Sequence, residues 1–64
     1  MATIWRNRIE AGTKKLNSCP AKYRNDVIVL IQADLSSGAY TEAQLRSLVS
    51  KELMTEEEFN EIVG

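Results

Sequence analysis

The last third of the chain repeats itself after fourteen residues. Thr41-Glu42-Ala43-Gln44-Leu45 is followed by Leu48-Val49, and Thr55-Glu56-Glu57-Glu58-Phe59 is followed by Ile62-Val63. In each copy the threonine hydroxyl is placed to accept from the backbone N–H three residues on. The Gln44 or Glu58 side chain is placed to reach back to the threonine N–H, so each copy opens with a capping box. The apolar residues then recur at i, i+3 and i+4, which is helical spacing. The pattern predicts two short helices, about 42–52 and 56–63, that turn sharply on one another instead of running as one rod. Tyr40 and Met54 stand just before the threonines, where an apolar residue staples onto the first turn; their partners are Leu45 and Phe59. Phe59, Ile62 and Val63 are expected to pack back on Leu45, Leu48 and Val49.

Upstream, Trp5, Ile9 and Leu16 fit one helical face, and Thr3 is the expected N-cap. Gly12 costs about 1 kcal/mol against alanine inside a helix. It ends the first helix near Ala11, so that helix spans about 4–11, with an extension to Leu16 as the alternative and Thr13 to Cys19 as a link. Pro20 suits a helix start, with Ser18 or Cys19 as N-cap, and the second helix runs over about 20–36. At helical periodicity Tyr23, Val27, Ile28, Leu30, Ile31 and Leu35 fill an arc of about 160°. An arc this wide makes the second helix central, contacted by more than one neighbour. Val29 falls on its far face, and Asp34 falls inside the apolar arc. Gly38 suits a left-handed C-cap. The expected fold class is all-α: a small bundle of three to four short helices in a single domain, with 1–19 as a basic N-terminal helix and link and 20–64 as the helical core.

Sixty-four residues make at most one domain. A chain this short buries only about 60% of its unfolded surface, so a partner or self-association is a natural source of further burial. The one cysteine, Cys19, excludes an internal disulfide and favours a reducing compartment. Without histidine there is no ordinary zinc site and no His-based acid–base device. The longest apolar run, Val27 to Ile31, is far short of the roughly 20 residues that span a bilayer, so no membrane role is expected. Trp5, Arg6, Asn7 and Arg8 stand where a signal peptide needs an apolar stretch, which predicts no export signal. The net charge of −1 hides an asymmetry: residues 1–24 carry six basic residues against Glu10, and residues 25–64 carry two basic residues against eight acids. Such halves attract each other within one fold, stack head-to-tail between copies, or face different partners.

No catalytic, cofactor or metal site is expected. A thiol near a helix start is activated, but Cys19 has no histidine as base and no second cysteine, which makes it a small buried apolar residue. Glu56, Glu57 and Glu58 point about 100° apart on a helix; they complement the macrodipole of a first turn and do not converge on an ion. The basic set Arg6, Arg8, Lys14, Lys15, Lys22 and Arg24, with Trp5 and Tyr23, has the composition of a phosphate-binding surface. The second helix of the tight pair is acidic, however, which argues against nucleic acid. Trp5 is either a core residue on the second helix or an interface anchor, since tryptophan is enriched among hot spots. The candidate interface is Trp5, Arg6, Arg8, Val29, Glu56, Glu57 and Glu61.

The stretch from Gly38-Ala39-Tyr40-Thr41-Glu42 through Thr55-Glu56-Glu57-Glu58-Phe59 to Ile62-Val63-Gly64 resembles the XkdX-like family, very short proteins encoded in the tail modules of phages and prophages of Gram-positive bacteria. The family has a helix, a Gly-aromatic-Thr turn, a second helix, then Thr-Glu-Glu-(Tyr/Phe)-x-x-Ile and a terminal glycine. The resemblance covers residues 36–64; short bacterial oligomerisation tails also carry Gly-x-x-Thr-Glu-Glu-Phe. The longer, basic N-terminal part departs from the family, which offers no catalytic residues. The resemblance implies a non-enzymatic protein that works by binding protein, as a virion or tail-module accessory. The alternative is a small inhibitor of a host or defence protein in the cytoplasm, and a nucleic-acid-binding module ranks below both.

Overall fold

In the computed structural model, which describes all 64 residues, both capping boxes close. Thr41 Oγ1 accepts from the Gln44 N–H at 3.1 Å while Gln44 Oε1 accepts from the Thr41 N–H at 2.9 Å. Thr55 and Glu58 make the same reciprocal pair at 3.1 and 2.9 Å. These caps start α3 (Glu42–Ser50) and α4 (Glu56–Val63), which follow α1 (Ala2–Glu10), a 3₁₀ turn (Leu16–Ser18) and α2 (Ala21–Ser37). There are no strands, and the fold is an all-α small bundle. α1 and α4 both pack on α2, and α3 packs on α4, so the second helix is central as its wide apolar arc requires.

Helix ends are where sequence and structure part. α1 begins at Ala2, with Met1 as N-cap, so Thr3 lies inside the helix and caps nothing. The Trp5 N–H already bonds the Met1 carbonyl at 3.1 Å, so the helix begins two residues before the expected start. Neither Ser18 nor Cys19 caps α2. The 3₁₀ turn consumes 16–18, and Pro20 itself, at φ −54° and ψ 141°, is the N-cap. Leu16 is fully buried there, and its N–H bonds the Leu53 carbonyl at 3.0 Å, fastening the link to the α3–α4 turn. Gly12 (φ 81°) and Gly38 (φ 82°) stop α1 and α2 in the left-handed region, which glycine enters at no steric cost.

Twelve buried residues form one core: Ile9, Leu16, Cys19, Val27, Ile28, Ile31, Tyr40, Leu45, Leu48, Met54, Phe59 and Ile62. Tyr40 and Met54 are inside it with Leu45 and Phe59, where the staple positions put them. Trp5, Tyr23, Leu35 and Val49 are half-buried against its edge. Val63 does not join: it is exposed at the end of α4, which has neighbours only on the Phe59–Ile62 side. Arg46 holds α4 to α3 by covering the Phe59 ring at 4.0 Å and pairing with Glu56 at 2.7 Å. Gln32 Nε2 donates to the Ile62 carbonyl at 3.2 Å and so ties the last turn of α4 to α2. The accessible surface is 3948 Å², against about 4,100 Å² for an average folded monomer of this mass. The fold thus has the usual surface for its size, with twelve residues buried in one core.

Candidate interaction surface

Burial sorts the basic residues of the N-terminal part. Arg6 Nη1 lies 3.2 and 3.1 Å from the two carboxylate oxygens of Asp34, both side chains being largely shielded. This pair explains an acid inside the apolar arc of α2: Asp34 faces α1, not solvent. Arg24 turns back on the 3₁₀ link, donating from Nη2 to the Cys19 carbonyl at 2.9 Å. Lys22 sits 5.0 Å from the Tyr23 ring centroid. Of the six basic groups, Arg8, Lys14, Lys15 and Lys22 remain exposed without an ion-pair partner. The attraction between the two halves inside the fold thus amounts to one pair, Arg6 with Asp34, and most of the charge asymmetry stays on the surface.

Among the acids, Glu56 is engaged by Arg46 across an exposed pair, Glu58 closes its capping box, and Glu57 and Glu61 are exposed and unpaired. Val29 is 60% exposed, as its place on the far face of α2 requires. Its neighbours on that face at helical spacing are Asn25, Asp26, Gln32, Ala33 and Ser36, so it is a single apolar side chain on a polar surface. Ile4, absent from the sequence-based candidates, is 46% exposed, and Met1 is 67% exposed. At about 100° per residue, Ile4 and Arg8 share one strip of α1 directly beside Trp5. The signal was available: Ile4 is the one large apolar residue of α1 outside the Trp5–Ile9 stripe. A polar strip would have put a charged or amide residue there.

Two hollows flank these elements. An open groove of about 580 Å³ lies where the end of α2, the start of α3 and the end of α4 meet, floored by Leu35, Tyr40, Ile62 and Val63. A smaller cleft of about 170 Å³ opens between the end of α1 and α3, with Glu10, Tyr40, Gln44 and Lys51 on its walls. At this cleft the Tyr40 hydroxyl donates to the Glu10 backbone carbonyl at 3.2 Å, and Glu10 Oε2 is enclosed with no hydrogen-bond partner. Burial, then hydrogen bonding to Asp34 and its charge, push the Glu10 carboxyl up to about 7, against a smaller opposing pull from Arg6. Tyr40 is pushed up by burial and by the Glu10 charge. Cys19 is buried, and burial pushes its thiol up, outweighing nearby Arg24; it has the character of a core residue, not an activated nucleophile. No group of three or more acidic or thiol side chains is gathered to hold a metal ion. No helix is long and apolar enough to cross a membrane.

Fold and surface together define a small all-α module with a closed core, a mixed apolar and basic strip on α1 and exposed acids on α4. The family model for a phage uncharacterised protein (Phage_XkdX) matches residues 32–64, from the last turns of α2 through α3 and α4. This is half of the chain, and the protein belongs to that phage family. No curated protein and no solved structure matches the chain. α1, the 3₁₀ link and the first half of α2 lie outside the matched segment, yet Ile9, Leu16 and Val27 are fully buried in the same core as Leu45 and Phe59.

Proposed function

We propose that this phage protein acts without catalysis, by binding protein, as an accessory of the virion or its tail module. The observation that carries the reading is the α1 strip: Ile4 is 46% exposed beside half-buried Trp5 and free Arg8, so that aliphatic, aromatic and basic side chains adjoin there, whereas exposed Val29 stands alone on a polar face. An aromatic flanked by an aliphatic residue and an arginine has the composition of an interface centre. Glu57 and Glu61 on α4 supply a second, acidic surface that steers a basic partner. Surface charges contribute only about 0–1 kcal/mol per pair, so they orient the contact while the apolar strip holds it.

The test is the chain's whereabouts during infection. Mass spectrometry of purified particles is expected to find it at a fixed stoichiometry. Finding it only in the infected cytoplasm, bound to one host protein, would overturn the virion role and leave the alternative, an inhibitor presenting the acidic face of α4. Sedimentation at low and high salt separates a second copy from a different chain as the partner. A species larger than 7.2 kDa that the Ile4→Asp variant abolishes marks self-association.

A further inference from the structure

We propose that Glu10 carries a proton while α1 is docked on α2 beside the Arg6–Asp34 pair, and that loss of this proton loosens α1 from α2. The geometry makes the site a three-group cluster. Arg6 from α1 donates to both oxygens of Asp34 on α2 at 3.2 and 3.1 Å. Glu10 follows Arg6 by one helical turn, and Tyr40 brings it to Asp34: the Tyr40 N–H bonds the Asp34 carbonyl and the Tyr40 hydroxyl bonds the Glu10 carbonyl, both at 3.2 Å, which sets the two carboxyls side by side. Two carboxylates cannot hydrogen-bond to each other without a proton between them, because an ionised carboxylate only accepts. Glu10 Oε2 supports the same conclusion, being enclosed with no donor facing it.

α1 contributes Arg6, α2 contributes Asp34, and the α2–α3 turn contributes the Tyr40 hydroxyl, which is already committed as a donor to the Glu10 backbone carbonyl. Lys51 at the end of α3 lines the same cleft without an ion pair to Glu10, and α4 lines none of it. With the proton on Glu10, one guanidinium faces one carboxylate and one neutral acid. When the proton leaves to solvent, the same guanidinium faces two carboxylates, one oxygen of which has no donor. Like charges at this separation disfavour the second ionisation, and shielding from water strengthens the effect.

The docked form therefore holds the proton more tightly than a free carboxyl does. Its carboxyl is raised from 4.5 to about 7, so the contribution to docking is complete below about 4.5 and is lost as pH rises through about 7. α1 is the element that responds, because it packs chiefly on α2. α1 also lies outside the family segment, whereas Asp34 and Tyr40 lie inside it. The proton thus controls how firmly this chain's own N-terminal helix covers the family segment, and with it the placement of the Ile4, Trp5 and Arg8 strip.

Amide hydrogen exchange across α1, corrected for the intrinsic pH dependence of exchange, tests the device on the full chain. The opening constant at the Ile9 amide is expected to rise about tenfold or more between pH 5 and pH 8, the change produced by one pKa unit of tighter proton binding in the docked form. Leu45 and Leu48 in α3 are expected to change much less over the same range. Glu10→Gln, which keeps a donor towards Asp34 without a titrating proton, is expected to flatten the rise. An α1 opening constant equal at both pH values in the unmodified chain would overturn the proposal, with no variant needed. So would a rise shared equally by Leu45 and Leu48, or a full rise retained in Glu10→Gln.

Discussion

Glu52 holds a backbone conformation that glycine holds at the corresponding place in α1. At the end of α1 the Thr13 N–H bonds the Arg8 carbonyl and the Gly12 N–H bonds the Ile9 carbonyl, both at 3.0 Å, with Gly12 at φ 81°. At the end of α3 the Leu53 N–H bonds the Leu48 carbonyl at 2.9 Å and the Glu52 N–H bonds the Val49 carbonyl at 3.0 Å, with Glu52 at φ 63°. Both ends are Schellman motifs, and the left-handed residue in them is usually glycine. A residue with a Cβ pays about 1–2 kcal/mol for that region, partly offset by glycine's greater entropy loss on folding. Glu52→Gly is therefore expected to stabilise the domain by about 1 kcal/mol in urea unfolding; an unchanged or lower midpoint would mean that the exposed Glu52 side chain contributes something the backbone does not reveal. This residue illustrates what a linear reading misses: a lysine-glutamate pair before Leu53 carries no turn signal, so the third helix reads through to 52. The Arg6–Asp34–Glu10 cluster is illegible for a different reason. Its members lie up to 28 positions apart, and no local spacing relates them; only the oddity of an acid inside the α2 arc pointed to it.

Elements with local causes were the legible ones. Thr-x-x-Gln and Thr-x-x-Glu fix the starts of α3 and α4 to the residue, because the bonds that make a capping box span three positions. Gly12 and Gly38 fix two ends for an equally local reason. Thr3 misled because an N-cap preference is weak against a backbone bond that starts the helix earlier, here from the Trp5 N–H to the Met1 carbonyl. Thr41→Ala and Thr55→Ala are each expected to lower stability by about 1 kcal/mol. Their effects should not add fully, because α3 and α4 are joined through Arg46 to both Glu56 and Phe59. Leu48→Ala removes a side chain only 2% exposed and is expected to cost about 2–5 kcal/mol. A loss below about 0.5 kcal/mol, the scale of surface substitutions, would contradict the packing of α3 against α4 and the core.

At the scale of the whole molecule, the residues before the family segment are not an appendage. They supply Ile9, Leu16, Cys19, Val27, Ile28 and Ile31, half of the buried core. The accessible surface of 3948 Å² is ordinary for a chain of this mass. The charge split was legible as composition, but not its distribution, because pairing of Arg6 and engagement of Arg24 with backbone carbonyls depend on three-dimensional placement. The surface carries the exposed Lys14, Lys15 and Lys22, the lone Val29, the acids of α4, and the strip of Ile4, half-buried Trp5 and Arg8. The central claim, that this strip is where a protein partner sits, is tested most directly by site-specific photocrosslinking during infection. A photoreactive residue replacing Ile4 is expected to give one discrete protein adduct, and the same residue replacing Asn25 on the polar face of α2 is expected to give none. No protein adduct from position 4, adducts to nucleic acid there, or equal adducts from both positions would contradict it.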